Sequence, residues 1–584
     1  MKRLSILFLA ILFAFVSCKK DKDAEDPTTT PTVNTVVDNI TTNTTWTTGS
    51  TYIIEGSLYI DGATLTIQPG TVIKFKNGAQ INVGSSSTGS AIIAEGTVEA
   101  PILFTSYAST PTAGDWDAIF FDNGTASTTS FKYCTFEYGG GYANYVGMLD
   151  LDEASITIEN CIIRNSASYG ITLDNSSKFV SFANNTITNT VNHVIGLYPN
   201  AVHTIKGGNV LTSVNSSIGI EIKGGTYNQA EETWMAQSVP YIINGIVYIE
   251  SNSGAVLNIQ EGTTIAFTNG SQLEVGSSSS TYGTIKAIGT TTAPITFTSS
   301  ATQKTAGDWD AIFLNDGTSS SSAFAFCKFE YGGGYASYVG MVDMDDCSAS
   351  FTNCSFENSA TYGITLDDGS QFTSFENNSF SNCVNHPVQI YGNYAHTIGT
   401  GNVYNSSLGI LVKGDDYNQA NETWKKQSCP YYIDGIVYIG SSTASILTIE
   451  AGTKIYFTNG SQIEVGSSSG TFGKIIAQGT SSDRIIFSTG APSGSESKGD
   501  WDAIFLEDGT SSGTIFDNCD FSYGGGYASY SGIIHLSATG TNVTISNSTI
   551  SHSSSNGISV DASSNPTITN VTYNDIDGED YHVR

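Results

Sequence analysis

The sequence predicts an all-β chain wound as a right-handed parallel β-helix, a β-solenoid built from three long tandem repeats. Three observations carry that expectation. First, a long motif recurs: Gly114-Asp115-Trp116-Asp117-Ala118-Ile119-Phe120, running on to Tyr138-Gly139-Gly140-Gly141-Tyr142, returns from Gly307 and again from Gly499. Trp309 stands 193 residues after Trp116, and Trp501 stands 192 after Trp309. Second, short alternations such as Leu65-Thr66-Ile67, Val72-Ile73-Lys74-Phe75, Ile81-Asn82-Val83 and Ile102-Leu103-Phe104 read as half-buried strands. Third, a finer rhythm sets Cys134, Cys161 and Thr186 27 and 25 residues apart, each opening a short strand. A coil that short cannot bury its own apolar face, so neighbours stack and share one core. The hand follows the rule for parallel crossovers. Three separate β-sandwiches are the rival, and they would need longer strands without that register.

Taken in order, the chain opens with Lys2-Arg3, an apolar run from Leu4 to Val16, and Ser17-Cys18. The run is the length of a secretory signal and too short for a spanning helix. It resembles a bacterial lipoprotein signal (residues 1–17), which implies that Cys18 is lipidated; Phe15 departs from the residue usual three positions before that Cys. The following Lys19 to Asp26 is similar to the charged tether of Bacteroidetes-type lipoproteins. The expected location is therefore the outer face of the outer membrane, through a lipid anchor. Residues 18–45 read as a flexible Thr/Pro-rich tether.

Trp46, Trp234 and Trp424, each followed by a Tyr-rich strand and a Gly, set the copies at 46–233, 234–423 and a truncated 424–584. Residues 227–237 and 417–427 are the best places for a short helix. Eight cysteines follow Cys18. Ser548 stands where the first two copies have Cys161 and Cys354, and no zinc spacing exists, so small buried thiols are expected.

Leu65 to Phe75 and Gly114 to Ile119 look like the strand and Gly-x-Trp-x-x-Ile signatures of right-handed β-helix surface lipoproteins. The resemblance covers residues 46–584 and implies the fold without implying an activity.

The formal charge is −31, from 54 acidic and 23 basic residues, a field that excludes nucleic acid and disfavours polyanionic glycans. Catalysis is disfavoured, because a β-helix lyase needs a basic residue or cation at the uronate and a hydrolase needs clustered carboxylates. Arg164 and Arg484 do not recur, and no catalytic residue is assigned.

Asp115, Asp117 and Asp122 recur as Asp308, Asp310 and Asp316, then as Asp500, Asp502 and Asp508. Carboxylates converging on one face would hold Ca²⁺, the only cofactor considered; of these, Asp115, Asp117, Asp308, Asp310, Asp500 and Asp502 form the proposed ligand set. The alternative is that they brace the turns around the tryptophans.

The binding candidates are Tyr138, Tyr142 and Tyr145 with Tyr331, Tyr335, Tyr338, Tyr523, Tyr527 and Tyr530. Three consecutive glycines imply a turn where something approaches the backbone, and tyrosines there offer flat faces with a polar tip. The expected partner is an extracellular glycan or protein, met by repeated sites about 8 coils or ~40 Å apart. A carbohydrate-active enzyme with one site, and a spacer with no ligand, are the other readings.

Overall fold

The computed structural model describes residues 32–212, 217–467, 470–537 and 542–584. Cys18 and the signal segment lie outside them. The chain is a right-handed parallel β-helix of about 21 turns. The strands pair in parallel with their equivalents on neighbouring coils, as in Val72–Phe75 on Thr51–Ile54 and Ile162–Ser166 on Cys134–Glu137.

Each coil has three faces. In the first copy, face one carries Cys134–Glu137, face two carries Ile119–Phe121 and Gly147–Leu151, and face three carries Thr64–Ile67 and Ser130–Lys132. In the later coils of each copy the turn from face three to face one hinges on one residue in left-handed backbone, Asn160 (φ 54°) and Asn184 (φ 56°) among them, which Asn tolerates better than most side chains. Inside that turn the next Asn of the ladder accepts: the Cys161 amide donates to Asn185 Oδ1 at 2.9 Å, and the Asn185 amide donates to Asn209 Oδ1 at 2.9 Å.

Inward residues stack from rung to rung. Phe329, Phe356 and Phe380 lie ring over ring with centroids 4.7 Å apart at each step. All six tryptophans are buried. The cysteines are unpaired and buried apart from half-buried Cys383, and burial pushes the thiols of Cys134 and Cys327 upward. The Cys519 amide donates to Ser548 Oγ at 3.1 Å where the Cys134 amide meets Cys161 Sγ at 3.4 Å, so Ser and Cys are interchangeable there.

Three expectations change. Val33–Val36 pairs with Thr51–Ile54 and Ile40 is buried, so the first coil begins inside the segment read as tether; Val36 and Ile40 supply the apolar surface that docks. No helix forms at 227–237 or 417–427, where Glu232–Trp234 and Glu422–Trp424 are strands buried through their tryptophans; the helical turns are the short 3-10 segments Pro199–Thr204 and Gly392–Thr397. The amides of Asp122, Asn315 and Glu507 donate to Val83, Val275 and Val465, so Asp122 corresponds to Asn315 and Glu507, one residue away from the expected Asp316 and Asp508.

The copies are joined by a sideways step. The outward ladder holding Phe120 climbs through Asp150, Thr172, Gly196 and Glu221, then continues as Ile242, Ala266 and Thr298. Those last residues are on face one of the second copy, which goes on to Cys327. Face two of the second copy starts from the other half of the same long strand, with Thr226 beneath Tyr248. Strand Tyr241–Ile249 therefore serves both faces, bending at Gly245 (φ 105°). Ile410–Tyr417 and Tyr431–Ile439, with Gly435 at φ 104°, repeat the step. Face one of the first copy stops at Val210–Leu211, where Ser238 Oγ accepts from the Leu211 amide at 2.9 Å and donates to its carbonyl at 2.8 Å.

Candidate functional site

The glycine triplet is explained by the chain's own packing. Trp116 stacks on Phe75 at 4.2 Å, and its indole N–H donates to the Glu137 carbonyl at 2.9 Å. Gly139 lies flat on that indole: a Cβ there would sit 2.6 Å from Trp116 Cε2. A Cβ on Gly141 would sit 2.4 Å from the Gly114 carbonyl oxygen. Gly332 on Trp309 and Gly524 on Trp501 repeat the first contact at 2.6 and 2.7 Å. What approaches the backbone is a tryptophan, from below.

Above it the same loop turns tyrosines outward. Tyr142 stands edge-on to Phe120, which faces out from face two, with centroids 5.1 Å apart and planes at 78°. Tyr335 on Phe313 gives 5.2 Å and 78°, and Tyr527 on Phe505 gives 5.1 Å and 77°. These tyrosines are 54–55% exposed, and Tyr145 and Tyr338 reach 69%. The loops are held from above: Asn192 Nδ2 donates to the Asn144 carbonyl and Asn385 Nδ2 to the Ser337 carbonyl at 3.2 Å. In the third copy the Arg584 guanidinium lies over Tyr530 at 5.1 Å.

Tyr138, Tyr331 and Tyr523 part from this group. They occupy left-handed backbone at the loop root (φ 66–67°) and are half-buried, Tyr523 stacking on His552 at 4.8 Å. The structure thus sets Tyr142, Tyr335 and Tyr527 each against an outward-turned Phe that sequence reasoning missed, with Tyr145, Tyr338 and Tyr530 exposed further along the same loops. Only the pleat alternation of Ile119-Phe120-Phe121 signals that Phe120 faces out.

Asp115 is a brace. Burial pushes its carboxyl up, but hydrogen bonds from Ser106 Oγ at 2.6 Å, Thr112 Oγ1 at 2.6 Å and the Thr112 amide at 3.0 Å prevail and leave it below the ordinary range. Asp308 has the same set from Ser299 and Thr305, and Asp500 takes Thr489 Oγ1 and the Ser497 amide. Asp117, Asp310 and Asp502 are raised by burial alone. Among the described residues no three His, Cys, Asp or Glu side chains converge on a point where a metal would sit.

Carboxylates line face two instead. Next to Phe120 on the ladder stands Asp150, which accepts from Thr172 Oγ1; Asp343 accepts likewise from Thr365. Burial, with Asp367 and Asp345 near by, pushes Asp343 up to about 6. Asp122, Asp152 and Asp174 follow the strand ends on successive coils. The third copy breaks the pattern with His535, which is 4% exposed, lies edge-on to Phe505 at 5.6 Å and leaves Nδ1 without a partner. Arg164 pairs with Glu137 at 2.6 Å and Arg484 with Asp520 at 2.8 Å, so both cations are spent on carboxylates of neighbouring coils.

The sequence model of a family described as a pectate-lyase like beta helix domain matches residues 38–159 and 224–350. The two stretches cover corresponding coils of the first and second copies, including both Trp–Gly loops. No curated protein matches the chain.

Proposed function

We propose that the protein binds neutral glycan chains without cleaving them, at the three tyrosine loops, as a lipoprotein held by Cys18 at the outer face of the outer membrane. An exposed tyrosine standing edge-on to a more buried Phe, repeated with the same geometry in each copy, carries this reading. Packing below the loop fixes the glycines and the tryptophan, but it gives no reason for a tyrosine on the outside. An aromatic edge-and-face pair beside carboxylates suits a sugar ring: its C–H face lies on the aromatic and its hydroxyls donate to Asp150 or Asp343. The negative field and the carboxylate ladder oppose a uronate chain. Isothermal titration of the full-length protein with neutral oligosaccharides tests this. Tyr142→Ala, Tyr335→Ala and Tyr527→Ala together are expected to weaken binding at least tenfold, and binding that survives the triple change removes the loops from the account. A protein that binds no glycan leaves a protein partner or a spacer.

One observation favours hydrolysis as a second reading. Burial pushes the Asp343 carboxyl up to about 6 beside Asp345 and Asp367, and a hydrolase acting through paired carboxyls needs one that donates a proton and one that stays ionised. Reducing ends released from a neutral polysaccharide, and lost in Asp343→Asn, would establish it. Labelling with a radioactive fatty acid, lost in Cys18→Ser, tests the anchor.

A further inference from the structure

The three loops are not aligned along the rod. The Tyr142 loop enters the strand stack that carries Phe120 and Asp150, so it flanks the leading edge of that stack. Seven coils higher, the Tyr335 loop leaves Cys327–Glu330, which belongs to the same continuous stack through Glu221, Ile242 and Ala266. It therefore flanks the trailing edge of the sheet whose leading edge carries the first loop. The next step is the same. Phe313 climbs through Asp343, Thr365, Gln389 and Leu411 to Tyr432 and Tyr456, on face one of the third copy, and the Tyr527 loop leaves that stack after Cys519–Ser522.

Successive loops are thus separated by seven rungs, ~34 Å along the axis, and by one face around it. The rungs from Phe120 to Phe313 pass through 150, 172, 196, 221 and 226, then 248 and 274. The rotation always runs the same way, because the same bulged strand pair makes both junctions. A straight polymer laid along the rod meets one loop and passes the others by. To touch all three, one chain would have to turn a corner of the coil every ~34 Å and give up conformational freedom at each turn.

We infer that the protein is a three-valent cross-linker, each tyrosine loop holding a separate neutral glycan chain on its own bearing. This rests on the glycan-binding reading above and adds what the sites do jointly. Valency spread around a stiff rod joins chains into a network, whereas the same sites on one face would strengthen the hold on a single chain.

The test uses the full chain carrying Cys18→Ser, so that lipid micelles supply no valency. Cello-, xylo- and mannohexaose are titrated first, and the soluble parent polymer of whichever binds is then mixed with the protein while light scattering and viscosity are followed. The expected results are three hexaoses per chain and a steep rise in scattering with the polymer. Tyr142→Ala with Tyr335→Ala should keep one hexaose site and lose the rise at least tenfold. Three hexaose sites with soluble complexes of one chain per protein would overturn the cross-linking and leave glycan binding intact. No hexaose bound at any loop would remove the binding reading itself, and the inference with it.

Discussion

The underside and the outside of the same loop obey different rules in the three copies. Underneath, Trp116 on Phe75, Trp309 on Phe267 and Trp501 on Phe457 stack at 4.2, 4.4 and 4.2 Å, and each indole N–H finds a carbonyl two strands away in the coil path. On the outward side of the strand, the rung next to the Phe has drifted from Asp150 and Asp343 to His535. A closed, dry pocket admits one solution, because losing an atom leaves a void and adding one forces strain. The rung beyond the Phe admits either a carboxylate bonded to Thr or a ring packed edge-on against Phe505. The tyrosine crosses that divide, since it is more than half exposed and yet unchanged, and a ligand explains that better than packing does.

The largest effect should come from the underside. Trp309→Ala empties a fully buried site and is expected to cost about 3–5 kcal/mol, read as a lowered denaturation midpoint. Gly332→Ala should cost about 1–3 kcal/mol, because its new Cβ has only the indole to push against. If either change is silent, the contrast between the two surfaces fails.

The rung itself gives an intermediate effect with a sign. Burial raises the Asp343 carboxyl to about 6, above the usual carboxylate range, so keeping it ionised destabilises the fold. That penalty is absent below about pH 4, grows through pH 6 and is complete above it. Asp343→Asn, which still offers Thr365 an acceptor, is expected to raise the melting temperature at pH 8 by the equivalent of roughly 1–2 kcal/mol and to leave it unchanged at pH 4. A gain of the same size at both pH values would mean that ionisation is not the cause.

The smallest effects sharpen the comparison from each side. Cys161→Ser should change stability by less than about 1 kcal/mol, as Ser548 already fills that position in the third copy. Tyr142→Ala should stay within about 0.5 kcal/mol of the parent while its binding falls, because the ring is more than half exposed. A large loss of stability there would make the tyrosine a packing residue.

The stacked coil was legible because both of its periods are written in the residues, the long one in Trp116, Trp309 and Trp501 and the short one in Cys134, Cys161 and Thr186. The candidate loop was legible as a place and misread in its cause: the triplet pointed to close approach, but residue order cannot say that Trp116 arrives from beneath. Asp115 looked like a ligand because a carboxylate flanking a turn and one facing a cation share a sequence pattern. The tether was drawn too long since Val36 and Ile40 are sparse among Thr and Asn, and only the coil above them shows what they cover. The sideways step was hidden altogether. It resides in which half of Ile220–Tyr227 lies under which half of Tyr241–Ile249, a register that repeat spacing leaves open.

That register is also what sends the loops in different directions, and it can be trapped covalently. Lys223 faces Asn244 on the next rung, at a strand spacing a disulfide spans, whereas copies stacked face on face would set Lys223 beneath Glu250. Mild oxidation followed by peptide mass spectrometry should find the cross-link in Lys223→Cys with Asn244→Cys and none in Lys223→Cys with Glu250→Cys. The opposite pair closing would place all three loops on one face and contradict the account.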